Sequence, residues 1–336
     1  MKSVDIVVPC FNEGPMINMF YLEISAILSL LEEGYSFRYI FIDDGSTDDT
    51  FELIKKLSFG DENVKYISFS RNFGKEAAIY AGLKESDADL VVVIDADLQH
   101  PPALLPDMLA AMEEGYDSCS ARRVSRQGEP KIRSFFARRF YKLINRISDV
   151  DIVDGAVDFR MMTRQMVDAI LELNEVQRFS KGIFAWVGFR TKWIEFKNVE
   201  RIAGETKWSF WKLFKYAIEG IIAFTTAPLR FLSFIGFGIS LISFCLLIFE
   251  VVKTMIYGLG IPGYLSTWFM LTLIGGIVIL SCGVLGEYIA KIYMETKHRP
   301  IYIARSSNIG KNAGDNVGKS DGETAGANGG ENTGKR

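Results

Sequence analysis

Leu90-Val91-Val92-Val93-Ile94-Asp95-Ala96-Asp97 is the stretch on which the fold turns. Five apolar residues in a row, four of them β-branched, read as a strand buried on both faces, as in a parallel sheet covered by helices. Such a strand cannot run on through two carboxylates into the core, because unpaired buried charge is too costly. Its end therefore opens into a surface crevice. Two acids spaced i, i+2 there either hold a hard divalent cation, which favours oxygen ligands, or form a solvated acidic turn. The pattern alone leaves both readings open.

Working outward, Ile6–Val8, Tyr39–Ile42 and Val64–Phe69 read as further strands, and Pro15–Leu31, Asp49–Leu57 and Lys75–Lys84 carry helical periodicity. That alternation predicts an α/β domain with a mostly parallel sheet and crossover helices. Ligands of such sheets bind beyond the carboxyl ends of the strands. Glu13, Asp43, Asp44, Asp95 and Asp97 all fall at or just after predicted strand ends, so one sheet edge gathers them. Asp43 reads as a structural turn acid and Asp48 as a helix N-cap. The run Asp43-Asp44-Gly45-Ser46 looks like half a calcium loop but lacks the alternating acidic register and the distant glutamate.

The 336 residues, 49% hydrophobic and 24% charged with a net charge of -3, suffice for one sizeable catalytic domain plus a further part. The near-neutral balance argues against a nucleic-acid protein. The cysteines Cys10, Cys119, Cys245 and Cys282 are scattered without CxxC spacing, which argues against a zinc site or a disulfide framework. Met1-Lys2-Ser3 leads straight into a strand with no signal peptide pattern, so the N-terminal domain is expected in the cytosol.

Two apolar segments, Leu229 to Val252 and Tyr264 to Ile289, are each long enough to cross a hydrocarbon core of roughly 30 Å. Lys212, Lys215 and Arg230 flank one outer side and Lys291, Lys297 and Arg299 the other, against Lys253 alone between them. The positive-inside rule then puts both termini in the cytosol. Trp208-Ser-Phe-Trp-Lys-Leu-Phe-Lys suits a helix lying in the membrane interface. From Ser306 onward, Gly, Asn, Lys, Asp and Glu dominate, and a disordered tail is expected. The expected organisation is a catalytic domain over 1–207, interfacial helices over 208–228, two transmembrane helices over 229–290, a cytosolic juxtamembrane segment over 291–305 and the tail over 306–336. The protein would then be a multi-pass protein of the cytoplasmic membrane.

Val8-Pro9-Cys10-Phe11-Asn12-Glu13, Phe41-Ile42-Asp43-Asp44-Gly45-Ser46-Thr47-Asp48, Arg71-Asn72-Phe73-Gly74-Lys75 and Asp95-Ala96-Asp97-Leu98-Gln99 together resemble the family 2 glycosyltransferases of GT-A fold, from about Ser3 to Ser209. The resemblance implies a Rossmann-like, mostly parallel sheet, a nucleotide-sugar donor and Mg²⁺ or Mn²⁺. A divalent metal offsets the negative charge that develops on a diphosphate leaving group. Asp97 is implied as the direct metal ligand, with Asp95 contacting metal, ribose or sugar and Gln99 completing the metal shell. Asp44 is implied to accept from the nucleobase, Phe11 and Glu13 to line the base and ribose pocket with Pro9 and Ala96 nearby, and Lys75 to assist the diphosphate.

Arg122-Arg123-Val-Ser-Arg126, Lys131-Ile-Arg133-Ser134 and Arg138-Arg139 form a basic stretch interleaved with aromatics. A nucleic-acid patch is one reading. Beside membrane spans, a site for a lipid phosphate fits better, with Arg122, Arg133 and Ser134 as candidates. Asp154-Gly-Ala-Val-Asp158-Phe159-Arg160 is similar to the acidic motif near the acceptor in polyprenyl-phosphate glycosyltransferases. Asp158 would orient the acceptor or act as a base, although a phosphate nucleophile is already ionised at neutral pH. Arg201-Ile-Ala-Gly204-Glu-Thr206-Lys207-Trp208-Ser209 resembles the RxxGxSKW segment of the same group and implies that Arg201 and Lys207 contact phosphates. Thr206 replaces the usual serine, and His100 stands where relatives often carry an acid.

The resemblance as a whole implies inverting transfer of a sugar to the phosphate of a polyprenyl phosphate such as undecaprenyl phosphate. UDP-glucose is the first donor candidate, ahead of UDP-N-acetylglucosamine, UDP-galactose and GDP-mannose. A processive polysaccharide synthase is an alternative, but Gln177-Arg178-Phe179 does not match a Gln-x-x-Arg-Trp motif and two spans cannot easily enclose a sugar channel. A non-catalytic scaffold is disfavoured by the retention of Asp44, Asp95, Asp97 and Gln99. A two-span anchor leaves room for a homo-oligomer.

Overall fold

A computed structural model describes residues 1–124, 153, 155–173, 175–196, 227–257 and 264–309. In chain order the elements are β1 (Lys2–Cys10), α1 (Gly14–Leu28), β2 (Tyr35–Asp43), α2 (Thr50–Gly60), β3 (Val64–Phe69), α3 (Lys75–Glu85), β4 (Leu90–Val93), α4 (Leu105–Glu113) and β5 (Ser118–Arg123). There follow β6 (Ala156–Thr163), α5 (Arg164–Glu172), α6 (Ser180–Trp186), β7 (Thr191–Phe196), two long helices α7 (Ala227–Tyr257) and α8 (Tyr264–Thr296), and β8 (Ala304–Ser307).

The strands form one sheet in the order β7-β5-β6-β4-β1-β2-β3-β8. The four strands read from the sequence are its parallel centre, with β1 between β2 and β4 and β3 beyond β2. β6 runs antiparallel to both β4 and β5, and β7 is parallel to β5. Side chains alternate across the sheet, so Ile6 and Val8 join Phe20, Ile24 and Phe41 on one face. Val7 joins Ile40, Val91, Val93 and Ala78 on the other. β1 and β2 extend further back than their apolar cores because the ladder continues to Lys2 opposite Tyr35.

Within that ladder, Asp5 stands opposite Arg38. The two form a bidentate pair at 2.8 and 2.6 Å, and Ser86 Oγ donates to the same carboxylate at 2.6 Å. A charge buried in the sheet is thereby paired and hydrogen-bonded, the condition under which burial is tolerable.

Antiparallel β6 carries a distant acid to the edge where the parallel strands end. Val93 faces Arg160 across the β4–β6 ladder. Two further residues along each chain set Asp158 beside Asp95, because antiparallel partners advance in opposite directions. An acid some 60 residues downstream in the sequence thus reaches the carboxyl edge of the parallel strands.

The two long helices match the apolar segments read from sequence, the first extended at both ends and the second at its C-terminal end. Large apolar side chains on them are exposed, among them Phe231, Phe237, Phe244, Leu273, Ile279 and Ile289. Leu273–Thr296 is long and apolar enough to cross a membrane, with none of its window buried. Gly14–Leu31 passes the same compositional test, but Ile17, Phe20, Ile24 and Leu28 are buried in the sheet's core. It is a core helix.

One boundary is corrected. Ser306 and Ser307 belong to β8, which pairs antiparallel with β3, and not to a disordered tail. The segment after α8 returns to the eight-stranded sheet. Tyr302 stacks on Phe69 with ring centroids 4.8 Å apart. The Asn308 amide accepts from Tyr66 N at 2.6 Å and donates to Val64 O at 3.1 Å, extending the ladder by a side chain. The Glu295 carboxylate near the end of α8 accepts the N–H groups of Val176 and Gln177. A polar strand of four residues at a sheet edge carries too little hydrophobic pattern to be read in advance. The interfacial helices of 208–228 as far as residue 226, the basic stretch from Ser125, Asp154, and residues 310–336 lie outside the described residues, while Ala227 and Pro228 open α7.

Candidate active site

The loops that follow β1 and β2 are stitched to each other by short side chains. Asn12 N donates to Ser46 Oγ at 3.0 Å, and Thr47 N donates to Asn12 Oδ1 at 2.9 Å. Asp43 is the turn acid that its position suggested: it is buried, and it accepts from Ser46 N and from Ser68 Oγ. Asp48 accepts from Thr50 N at 3.1 Å and from Gly14 N at 3.2 Å, the first residues of α2 and α1, but the N-cap of α2 is Asp49, not Asp48 as read from the sequence, because the helix starts one residue later than expected. Gly45 lies at φ +66, and a Cβ there would sit 2.4 Å from the Arg71 carbonyl carbon. Only glycine fits this approach of two loops.

Beyond these strand ends opens a cavity of about 360 Å³. All eight residues implied as donor contacts line it: Pro9, Phe11, Glu13, Asp44, Lys75, Asp95, Ala96 and Asp97. Cys10, Asn72, Gly74 and Ala78 complete the lining without having been singled out. The first three lie inside the quoted motifs, and Ala78 is one helical turn beyond Lys75, the spacing that shares a helix face. Asp44 is held by the backbone N–H groups of Phe73 at 2.6 Å and Gly74 at 3.0 Å. Burial pushes its carboxyl up, and those two N–H groups pull it back only in part.

Lys75 is the electrostatic centre. Its ammonium lies 2.7 Å from Asp95 and 2.5 Å from Asp158. Burial opposes the charges, but the carboxylates hold Lys75 above its ordinary range. Against the same burial, Lys75 and then Lys181 hold Asp158 well below the usual carboxylate range. Asp97 accepts from Gln99 N at 3.1 Å across a turn in which buried Leu98 sits at φ 54. That left-handed backbone costs a leucine about 1–2 kcal/mol, offset by burial of its side chain, and it turns Asp97 into the cavity. Gln99 is not among the lining residues.

Asp95 and Asp97 supply hard oxygen donors. Among the described residues no group of three His, Cys, Asp or Glu side chains is set to hold a metal. The donor set therefore fits a cation that keeps most of its shell from water and substrate phosphates, as Mg²⁺ commonly does.

Around this cavity the structure adds Glu76, which the sequence reading did not name, and shows the surroundings of His100 and Arg122. Glu76, next to Lys75, accepts Ser180 N at 2.8 Å and makes a short bond with Ser180 Oγ, tying α3 to α6. The partners are 104 residues apart, and no local pattern marks them. His100 is buried, stacked against Phe159, with Nδ1 3.8 Å from Asp95. Burial pushes its pKa down. Arg122 stands apart from the cavity lining, 3.7 Å from Glu195 on β7. Arg133, Ser134, Arg201 and Lys207 lie outside the described residues.

Comparison with known proteins places this geometry. The profile of glycosyl transferase family 2 matches residues 5–171. The putative glycosyltransferase CsbB of Bacillus subtilis (strain 168) is 43% identical over 306 residues, 91% of this chain and 92% of that protein. The bactoprenol glucosyl transferase of Shigella phage SfV is 40% identical over 304 residues, 90% of this chain and 98% of that one. The solved structure of mannosyl-3-phosphoglycerate synthase from Rubrobacter xylanophilus has a TM-score of 0.45 at 18% identity, over 68% of this chain and 74% of that one. The chain belongs to glycosyl transferase family 2 and is a glycosyltransferase.

Proposed function

We propose that this glycosyltransferase moves a glucosyl group from UDP-glucose to the phosphate of a membrane polyprenyl phosphate, undecaprenyl phosphate, with inversion at the anomeric carbon. The observation that carries the reading is the single cavity in which the donor candidates meet Lys75 bridged between Asp95 and Asp158. The bactoprenol glucosyl transferases among its relatives support the acceptor class. Asp44, Phe11 and Glu13 would hold the nucleoside, and Asp95, Asp97 and Lys75 would face the diphosphate. Gln99 would act from the turn beside Asp97, where the metal shell forms. Mg²⁺ or Mn²⁺ at these carboxylates would offset charge on the departing diphosphate.

In the reaction an acceptor phosphate oxygen forms a bond to the anomeric carbon as the bond to the diphosphate oxygen breaks, and UDP leaves. The nucleophile needs no deprotonation at neutral pH. Asp158, held ionised by Lys75 and Lys181, is a poor proton acceptor, because basicity falls with pKa. Its role in this reading is to orient the acceptor and to hold Lys75. Arg122, Arg133, Ser134, Arg201 and Lys207 are the cations and hydroxyl assigned to the acceptor or donor phosphates.

Helices α7 and α8, with apolar side chains exposed along their length, would anchor the enzyme in the cytoplasmic membrane with the sheet domain and both termini in the cytosol. Lys291, Lys297 and Arg299 at the end of α8 support that orientation. The anchor holds the active site near the lipid headgroup and raises its effective concentration.

The test is Asp97→Asn in the full-length protein, assayed with UDP-glucose and undecaprenyl phosphate. Loss of metal-dependent transfer with an unchanged melting temperature is expected. Wild-type turnover in the folded variant would sink the assignment.

A further inference from the structure

A second cavity, of about 300 Å³, lies between β6, β7 and α6. We propose that it seats the phosphate head of an isoprenoid phosphate, with Arg160 and Lys181 as anion partners and Phe184, Phe189 and Trp193 against the first isoprenoid carbons. The inference rests on the lipid-phosphate reading above and gives that acceptor a place among the described residues.

Arg160 carries the argument. It is 5% exposed, and its Nη1 donates to Ser118 Oγ at 3.1 Å. Its Nε is buried and has no hydrogen-bond partner among the described residues. The guanidinium lies over the Phe184 ring at 4.8 Å and the Trp193 ring at 5.5 Å. Asp158, two residues away on β6, is the carboxylate that acts on this buried cation, but it is committed to Lys75, and among the described residues no carboxylate bonds the guanidinium directly; buried charge is tolerated when paired and hydrogen-bonded. An anion in the cavity would complete it, and the guanidinium fork matches phosphate oxygens.

Lys181 lines the same cavity and acts electrostatically on Asp158. Val157 and Arg160 in its lining flank Asp158 on β6, which sets the cavity beside the Lys75–Asp158 pair, where an acceptor must approach the donor sugar. Aromatic and aliphatic walls around two cations suit an anion carried on a hydrocarbon better than free phosphate. The Glu76–Ser180 contact fixes the start of α6 and so the position of Lys181.

The experiment measures binding of farnesyl phosphate to the full-length protein in detergent, with farnesol and inorganic phosphate as controls. Wild type is expected to bind farnesyl phosphate at least about tenfold more tightly than either control, the increment of one charge-assisted contact. Lys181→Met and Arg160→Lys should each weaken it about tenfold or more while UDP binding is unchanged. Lys181 is at a half-exposed helix position, so its variant keeps the test sound if Arg160→Lys fails to fold. Wild-type affinity for farnesyl phosphate in folded Lys181→Met overturns the proposal, as does equal affinity for inorganic phosphate or farnesol. If wild type binds farnesyl phosphate as expected but transfers no sugar to a polyprenyl phosphate, the acceptor reading fails and the anion site stands. Normal transfer with an unchanged acceptor KM in both variants gives the converse.

Discussion

Replacing Lys75 by methionine separates two effects that usually move together. The ammonium lies 2.7 Å from Asp95 and 2.5 Å from Asp158, with its side chain 42% exposed. At such distances the Coulomb energy is about 1.5 kcal/mol per pair in water and about 6 kcal/mol at an effective dielectric of 20. Solvent screening at a side chain this exposed brings the net value toward about 1 kcal/mol per pair. Removing both pairs should cost about 2 kcal/mol of stability, or roughly thirtyfold in the folding equilibrium. Lys75 also competes with any cation for the Asp95 carboxylate. Lys75→Met should therefore bind Mn²⁺ more tightly, by about fivefold for the one pair with Asp95, while sugar transfer falls by roughly a hundredfold for want of the ammonium at the diphosphate. Calorimetric Mn²⁺ titration and UDP release, measured on the same preparation, give both numbers. Mn²⁺ affinity falling together with turnover would refute the competition and the placement of the cation beside Asp95.

Gly45→Ala should lose about 2–4 kcal/mol in denaturant melts, from the left-handed backbone plus the 2.4 Å approach to Arg71. Asp5→Ala should cost about 2–3 kcal/mol, because Arg38 loses its bidentate partner and keeps only the exposed Asp87, while Ser86 loses its acceptor. Asn308→Ala should remove about 1–2 kcal/mol and speed hydrogen exchange at the Tyr66 amide. Asp158 has its folded pKa below the unfolded value of about 4, so its contribution is present above that pH and lost as pH falls through the folded value. Lys75 is raised, so its contribution is complete below about pH 10 and lost as pH rises further. Urea midpoints should therefore fall on the acid side of about pH 4, and that acid limb should flatten in Asp158→Asn.

The candidate donor site was legible because it is local. Each of its acids ends an apolar strand, and parallel strands bring their carboxyl ends to one edge whatever the intervening helices do. The acceptor half was less so. Asp158 could be picked out by motif, but its place beside Asp95 depends on β6 running antiparallel, which no periodicity in Ala156–Thr163 reveals. Arg160 sat within a quoted motif without a role, because its meaning lies in burial between Phe184 and Trp193. Glu76, Lys181 and β8 act through contacts between segments distant in sequence. Their residues are polar and carry no pattern of their own.

The central claim is transfer of one sugar from a nucleotide to a lipid phosphate. It is tested most directly by mass spectrometry of the lipid extract after the full-length protein, in membranes containing undecaprenyl phosphate, is given isotopically labelled UDP-glucose. The account predicts a single labelled hexose on undecaprenyl monophosphate, formed only with a divalent metal and absent in Asp97→Asn. Label found only in water-soluble product or in a polymer, with none on the lipid phosphate, would contradict it.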